Sequence, residues 1–126
     1  MKENDNLQKT ILIVDDEPMN IKMTEFIMKD EPIYRIIGAA GGEEALEIIK
    51  NENVDLVLLD VMMPGMDGFE TLERIRENYQ MPVAFMTGEK SIETIQKAAS
   101  LGVDDYITKP FLPLSLKEVV HSILNN

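Results

Sequence analysis

Short apolar runs alternate with segments of helical period along the chain. The runs at 10–14, 34–39, 54–59, 82–86 and 104–107 predict five strands. The first, third and fourth are almost continuously apolar, as in strands covered on both faces. Met19, Met23, Phe26 and Ile27 recur at i, i+4, i+7 and i+8 behind Pro18, predicting a first helix that buries this stripe. Ala45, Ile48 and Ile49 begin a second stripe, and Leu72, Ile75 and Tyr79 a third, with Asp67 and Glu70 spaced as N-cap and N3. Ile92, Ile95, Ala98 and Ala99 predict a fourth helix, stopped by Gly102. Leu116, Val119, Val120, Ile123 and Leu124 predict a fifth, begun at Pro113.

Strict alternation of strand and helix predicts an α/β domain, a doubly wound five-stranded parallel sheet with helices on both faces. Ligands of such sheets bind beyond the carboxyl ends of the strands. Those ends carry Asp15 and Asp16, Asp60, Thr87 and Lys109. Asp55 instead opens the third strand, ~16 Å from Asp60 at the rise of a strand. Asp104 and Asp105 open the fifth, so these acids belong to the opposite rim.

Charge narrows the chemistry. Among 126 residues, 23 acidic side chains face 12 basic ones, a net charge of −11. That balance repels a phosphate backbone and argues against direct nucleic-acid binding. With no cysteine, neither a disulfide nor a thiolate metal site is available. The polar segment 1–9 has no apolar core of a signal peptide, and no run approaches the ~20 residues needed to span a bilayer. The expectation is a cytoplasmic protein without a membrane segment, with 1–9 a flexible N-terminal segment and 10–126 one domain.

Three carboxylates at neighbouring strand ends repel one another unless a cation intervenes. An all-oxygen set of this kind suits Mg²⁺, or Mn²⁺. Lys109 is placed to neutralise an oxygen of Asp60 or of a group attached to it, and Thr87 to donate to a phosphoryl oxygen. Together they describe phosphoryl transfer onto a carboxylate, with Asp60 as nucleophile.

The stretch Asp60-Val61-Met62-Met63-Pro64-Gly65-Met66-Asp67-Gly68, with Asp15-Asp16-Glu17-Pro18, Thr87-Gly88 and Lys109-Pro110-Phe111, resembles the receiver domain of two-component response regulators in order and spacing. The resemblance covers Ile11 to about Leu124. It implies a flavodoxin-like, three-layer α/β/α fold with strand order 2-1-3-4-5, and residues 10–126 as the receiver. It implies Asp60 as phosphoacceptor, charged by a phosphohistidine of a sensor histidine kinase or histidine phosphotransfer protein. Asp16 and Asp60 would ligate Mg²⁺ directly, Asp15 through water, and Met62 by its backbone carbonyl. Thr87 and Lys109 would sense the phosphoryl group, and Tyr106 would be the switch aromatic. The Lys109–Pro110 bond is typically cis in the family, a form proline makes accessible. Met62 and Glu89 occupy positions where the family varies in phosphoryl lifetime. The output would be a downstream protein or attached effector, reached through the surface of the fourth helix, fifth strand and fifth helix, which also offers a phosphorylation-linked dimer contact.

Two other classes fit less well. A phosphatase with an aspartyl-phosphate intermediate needs a proton donor two residues past its nucleophile, and Met62 cannot act as one. A docking domain independent of phosphorylation has no need of the acid pair, acceptor and lysine together. A signalling receiver, catalysing only its own phosphorylation and dephosphorylation, accounts for all of them. No effector pattern follows Leu124, so the chain reads as a stand-alone receiver or as the receiver part of a longer regulator. The nine methionines read mostly as adaptable core filler, with contact to a partner helix as the alternative for Met63 and Met66, which lie beside the site. His121 reads as an exposed structural residue.

Overall fold

The computed structural model describes residues 8–88, 92–109 and 112–125. Strands β1 (Lys9–Val14), β2 (Tyr34–Ala39), β3 (Leu56–Asp60), β4 (Val83–Thr87) and β5 (Asp105–Thr108) form one parallel sheet in the order 2-1-3-4-5. Between and after them run α1 (Pro18–Met28), α2 (Gly42–Asn51), α3 (Gly68–Asn78), α4 (Ile92–Ser100) and α5 (Pro113–Leu124). The α/β fold is as expected. The third to fifth strands begin and end one or two residues later than the apolar runs suggest, so that Asp60 and Thr87 are themselves the last strand residues.

Alternation along each strand divides the core between the two faces of the sheet. Leu12, Val14, Val57, Leu59, Val83 and Phe85 point to the side that holds Ala45 and Ile49 of α2 and Leu72 and Ile75 of α3. Ile11, Ile13, Leu56, Leu58, Ala84 and Met86 point to the other side, against Ile27 and Met28 of α1 and Leu116 and Val120 of α5. The result is three layers. With both faces covered, the inner strands β1, β3 and β4 are apolar almost throughout, which is why these runs carry no polar alternation.

The acids of the far rim have a structural task. Asp55 accepts the Thr10 N–H at 2.7 Å, and Asp104 accepts the Val83 N–H at 2.8 Å. Each carboxylate thus satisfies a donor at the start of a neighbouring strand, where the ladder has not yet begun. Asp67 caps α3 as expected, accepting the Glu70 N–H at 2.9 Å.

The first helix departs from its expected stripe. Met19 and Phe26 are about two-thirds exposed at 66% and 68%, and Met23 is also open, while Thr24, Ile27 and Met28 are buried. The helix is turned by about one residue, ~100°, because its inner face includes two polar residues that bond locally. Thr24 Oγ1 donates to the Asn20 carbonyl at 3.0 Å, and the Asn20 amide donates to Asp15. Ile95 of α4 is likewise exposed, and Ala98 is the buried anchor of that helix. His121 has the structural role expected, though it is only partly exposed. Its Nε2 lies 2.6 Å from Glu31 Oε1 and its ring stacks on Tyr34, tying α5 to the loop after α1.

Among the described residues no helix is long and apolar enough to cross a membrane. Glu89, and Pro110 with its expected cis bond, lie outside the described residues.

Candidate functional site

Register assembles the site. Val14 pairs with Leu59 and Asp60 with Met86, so Asp15, one residue past β1, comes alongside the end of β3 at the point where the strand order reverses. The Asp15 N–H bonds the Ala39 carbonyl at 3.0 Å, which fixes its backbone to β2. On the far side the Lys109 N–H bonds the Thr87 carbonyl at 2.8 Å, so Lys109 continues the ladder between β4 and β5 and its long side chain reaches back across β4.

The carboxylate oxygens of Asp15, Asp16 and Asp60 lie within 4.8 Å of one another. Asp15 has no exposure, Asp60 is buried at 5%, and Asp16 is exposed at the mouth. Lys109 Nζ sits between the two buried acids, 2.7 Å from Asp15 Oδ2 and 3.3 Å from Asp60 Oδ2. Asp15 Oδ1 accepts the Glu17 N–H at 2.9 Å, and Asp60 Oδ1 accepts the Met62 N–H at 3.3 Å. Above them opens a cleft of about 400 Å³ lined by Asp16, Glu17, Asp60, Met62, Thr87, Gly88 and Lys109.

Burial raises the Asp60 carboxyl above its ordinary range. The Lys109 charge opposes that rise and the Asp15 charge adds to it. Burial pushes the Lys109 ammonium down, but its bond to Asp15 and the charges of Asp60 and Asp15 outweigh this and leave it raised. Lys109 is therefore a firm cation shared by two anions. One positive charge against three carboxylates leaves the cluster negative, and Asp16 has no hydrogen-bond or ion-pair partner among the described residues. An oxygen-only donor set with surplus negative charge fits a hard divalent cation.

The loop after Asp60 is fixed by its alternation of inward and outward residues. Val61 and Met63 are buried, whereas Met62 projects into solvent beside the cleft at 65% exposure. Met63 is thus core filler, the first of its two readings, and Met66 lies against Gly42. Gly65 turns with φ +73°, a conformation other residues adopt at a cost. The Gly68 N–H closes the loop onto the Val61 carbonyl at 2.9 Å. A Cβ on Gly68 would collide with the Asp60 carbonyl oxygen and lie 2.7 Å from Val61 Cα, so α3 approaches the end of β3 this closely only with glycine there.

Asp15, Asp16, Asp60, Met62, Thr87 and Lys109 thus come together. Tyr106 does not line the cleft. It is half-buried on the face of β5 that joins the α2–α3 side of the core, opposite Phe85 in register. Glu17, part of the acid motif but given no role there, and Asn20, outside the motifs, are further site neighbours. The available signal was the placement of Asn20 within the first helical turn after Asp15.

Residues 11–121 match the response regulator receiver domain. The chain is 45% identical over 107 residues to the transcriptional regulatory protein YvrH of Bacillus subtilis, covering 85% of this chain and 45% of that one. It is 42% identical over 130 residues to a probable cyclic di-GMP phosphodiesterase of Vibrio cholerae, covering all of this chain and 29% of that protein. The chain therefore spans less than half the length of either relative. Among solved structures, a CheY-like response regulator receiver domain protein of Methanospirillum hungatei superposes with a TM-score of 0.86 at 35% identity, covering 94% of each chain. With that match over most of its length, the chain belongs to the response regulator receiver domain family, the phosphorelay module of two-component signalling.

Proposed function

We propose that residues 10–126 form a receiver that accepts a phosphoryl group on Asp60 from a phosphohistidine of a sensor kinase or phosphotransfer protein. The observation that carries this reading is Lys109, held between Asp15 and Asp60 at the base of an open cleft. An Asp60 oxygen attacks phosphorus, the phosphorus–nitrogen bond of the donor breaks, and the imidazole leaves as an aspartyl phosphate forms. Asp16 and Asp60, with the Met62 carbonyl and a water held by Asp15, are the groups that would hold Mg²⁺. Bound there, the cation supplies charge stabilisation to the transferring phosphoryl oxygens.

The protein's own groups do the rest. Lys109 offsets charge on one phosphoryl oxygen, and the Thr87 hydroxyl donates to another. Tyr106 then follows Thr87, and the surface of α4, β5 and α5 changes its population of states, so that the signal reaches an output protein, an attached effector or a second copy. The greater length of the relatives supports an attached output, and the acidic, cysteine-free chain supports a cytoplasmic setting. Reduction of the acyl phosphate with borohydride, followed by peptide mapping, tests the acceptor. Modification confined to residue 60 is expected, and modification at Asp16 or elsewhere would refute the assignment.

The open face of α1 supports a phosphodonor protein as the natural source. Met19, Met23 and Phe26 form an apolar groove with Ile27 and Pro113, and Glu17, the residue just before the same helix, lies on the rim of the acceptor cleft. Exposed apolar patches of this kind mark protein contacts. In the double variant Met23→Ser/Phe26→Ser, phosphotransfer from a histidine-phosphorylated protein is expected to fall by about tenfold or more. Uptake from acetyl phosphate should stay near the wild-type rate. Equal loss with both donors would show that the face acts on the chemistry and not on docking.

A further inference from the structure

Asn20 lies in the first turn of α1 with its amide directed at the acceptor site. It donates to Asp15 Oδ2 at 3.1 Å and to Glu17 Oε1 at 3.2 Å. Its own backbone is fixed on both sides. The N–H bonds the Glu17 carbonyl at 3.0 Å, and the carbonyl accepts from the buried Thr24 hydroxyl at 3.0 Å. An asparagine this early in a helix ordinarily bonds to nearby backbone or faces water. Here both of its amide contacts are to carboxylates.

Asp15 has no exposure, so its oxygens depend on protein donors. Oδ1 takes the Glu17 N–H, while Oδ2 is shared between Lys109 and Asn20. Lys109 also faces Asp60, so any anion built on Asp60 draws it away from Asp15. A buried carboxylate oxygen that loses its last donor is strongly disfavoured. We infer that Asn20 is a positioning residue of the acceptor site. It fixes the Asp15 carboxylate in the orientation a cation needs and keeps Oδ2 hydrogen-bonded while Lys109 moves to the phosphoryl group. The inference rests on the reading of Asp60 as phosphoacceptor and of the acid cluster as the cation site.

The alternative is that Asn20 only stabilises the start of α1, and a cycle with Asp15 separates the two. Mg²⁺ affinity of the unphosphorylated protein is measured by calorimetry for the wild type, Asn20→Ala, Asp15→Asn and the double variant. Uptake from acetyl phosphate at saturating Mg²⁺ is followed beside it, and thermal melts check folding. Asn20→Ala is expected to weaken Mg²⁺ binding about tenfold, as loss of an outer-shell partner commonly does. In the Asp15→Asn background the same change should alter affinity by less than about twofold, because the group it acts through is gone. Asn20→Ser keeps a hydroxyl donor and should recover part of the affinity, and it serves as the test variant if alanine impairs folding.

Wild-type affinity in Asn20→Ala, or an equal loss in both backgrounds, overturns the inference. If the wild type binds Mg²⁺ but accepts no phosphoryl group, the acceptor reading fails while the calorimetric cycle still decides the role of Asn20. If the wild type binds no Mg²⁺, the inference falls.

Discussion

Asp60→Asn is expected to be more stable than the wild type at pH 7 without Mg²⁺, and nearly indifferent to the cation. Burial and the neighbouring Asp15 charge raise the Asp60 carboxyl in the folded state, and Lys109 only partly offsets this. A raised carboxyl binds its proton more tightly when folded. Its stabilising contribution is therefore complete below the ordinary value of 3.8 and is lost as pH rises through the folded value. At pH 7 the wild type carries an ionised, poorly solvated acid that the amide lacks. Neutral replacement of such a buried charge, with Lys109 still paired to Asp15, is expected to stabilise the fold and raise the melting temperature. The gap should narrow as pH falls towards 4. Millimolar Mg²⁺ should raise the melting temperature of the wild type well above its effect on the variant, because binding to the folded state alone stabilises it. Melts across pH with and without Mg²⁺ check this. A variant less stable than the wild type at pH 7 would mean that the Met62 and Lys109 contacts outweigh the cost of burial.

Lys109→Met should have the opposite effect. The ammonium is 18% exposed, and it is the cation within ion-pair distance of both Asp15 and Asp60. Methionine fills much of the same volume and removes the charge, which leaves two buried acids facing each other. Breaking a buried pair from one side costs about 3 kcal/mol, taken at the low end because the cleft is open to water. The loss is greatest near neutral pH and shrinks in acid, where the carboxyls take up protons. It also shrinks in strong alkali. Lys109 is raised above 10.5, so its contribution is complete below that value and disappears as pH climbs through the folded value. Mg²⁺ should restore more stability to this variant than it adds to the wild type, since it no longer competes with an ammonium. Urea unfolding at several pH values measures the effect. Equal stability of variant and wild type at pH 7 would show that the bridge contributes nothing net.

Most of the fold and much of the site are written in patterns with a direct physical cause. Strands covered on both faces must be apolar throughout, so β1, β3 and β4 stand out as runs. Polar residues at their carboxyl ends then mark the rim where Asp15, Asp60, Thr87 and Lys109 meet. Separating Asp55 and Asp104 from that group needed only the length of a strand, and both prove to bond backbone at the far rim. The first helix was harder to read because its pattern is deceptive. Its most apolar stripe faces solvent, and its inner face holds Asn20 and Thr24, whose burial is supported by hydrogen bonds invisible to a hydrophobic count. Sequence position alone leaves the two readings of Met63 open. A loop residue beside a site need not face it, and here alternate loop residues turn into the core. The contacts of His121 are not legible in the sequence, because its partners, Glu31 and Tyr34, are about ninety residues away.

The most direct test is the intact mass of the wild type and of Asp60→Asn after incubation with acetyl phosphate and Mg²⁺, repeated with a chelator. A single phosphoryl increment in the wild type, lost on chelation and absent from the variant, is the predicted result. An equal increment in both proteins would contradict Asp60 as the acceptor, and an undiminished increment under chelation would contradict the cation site.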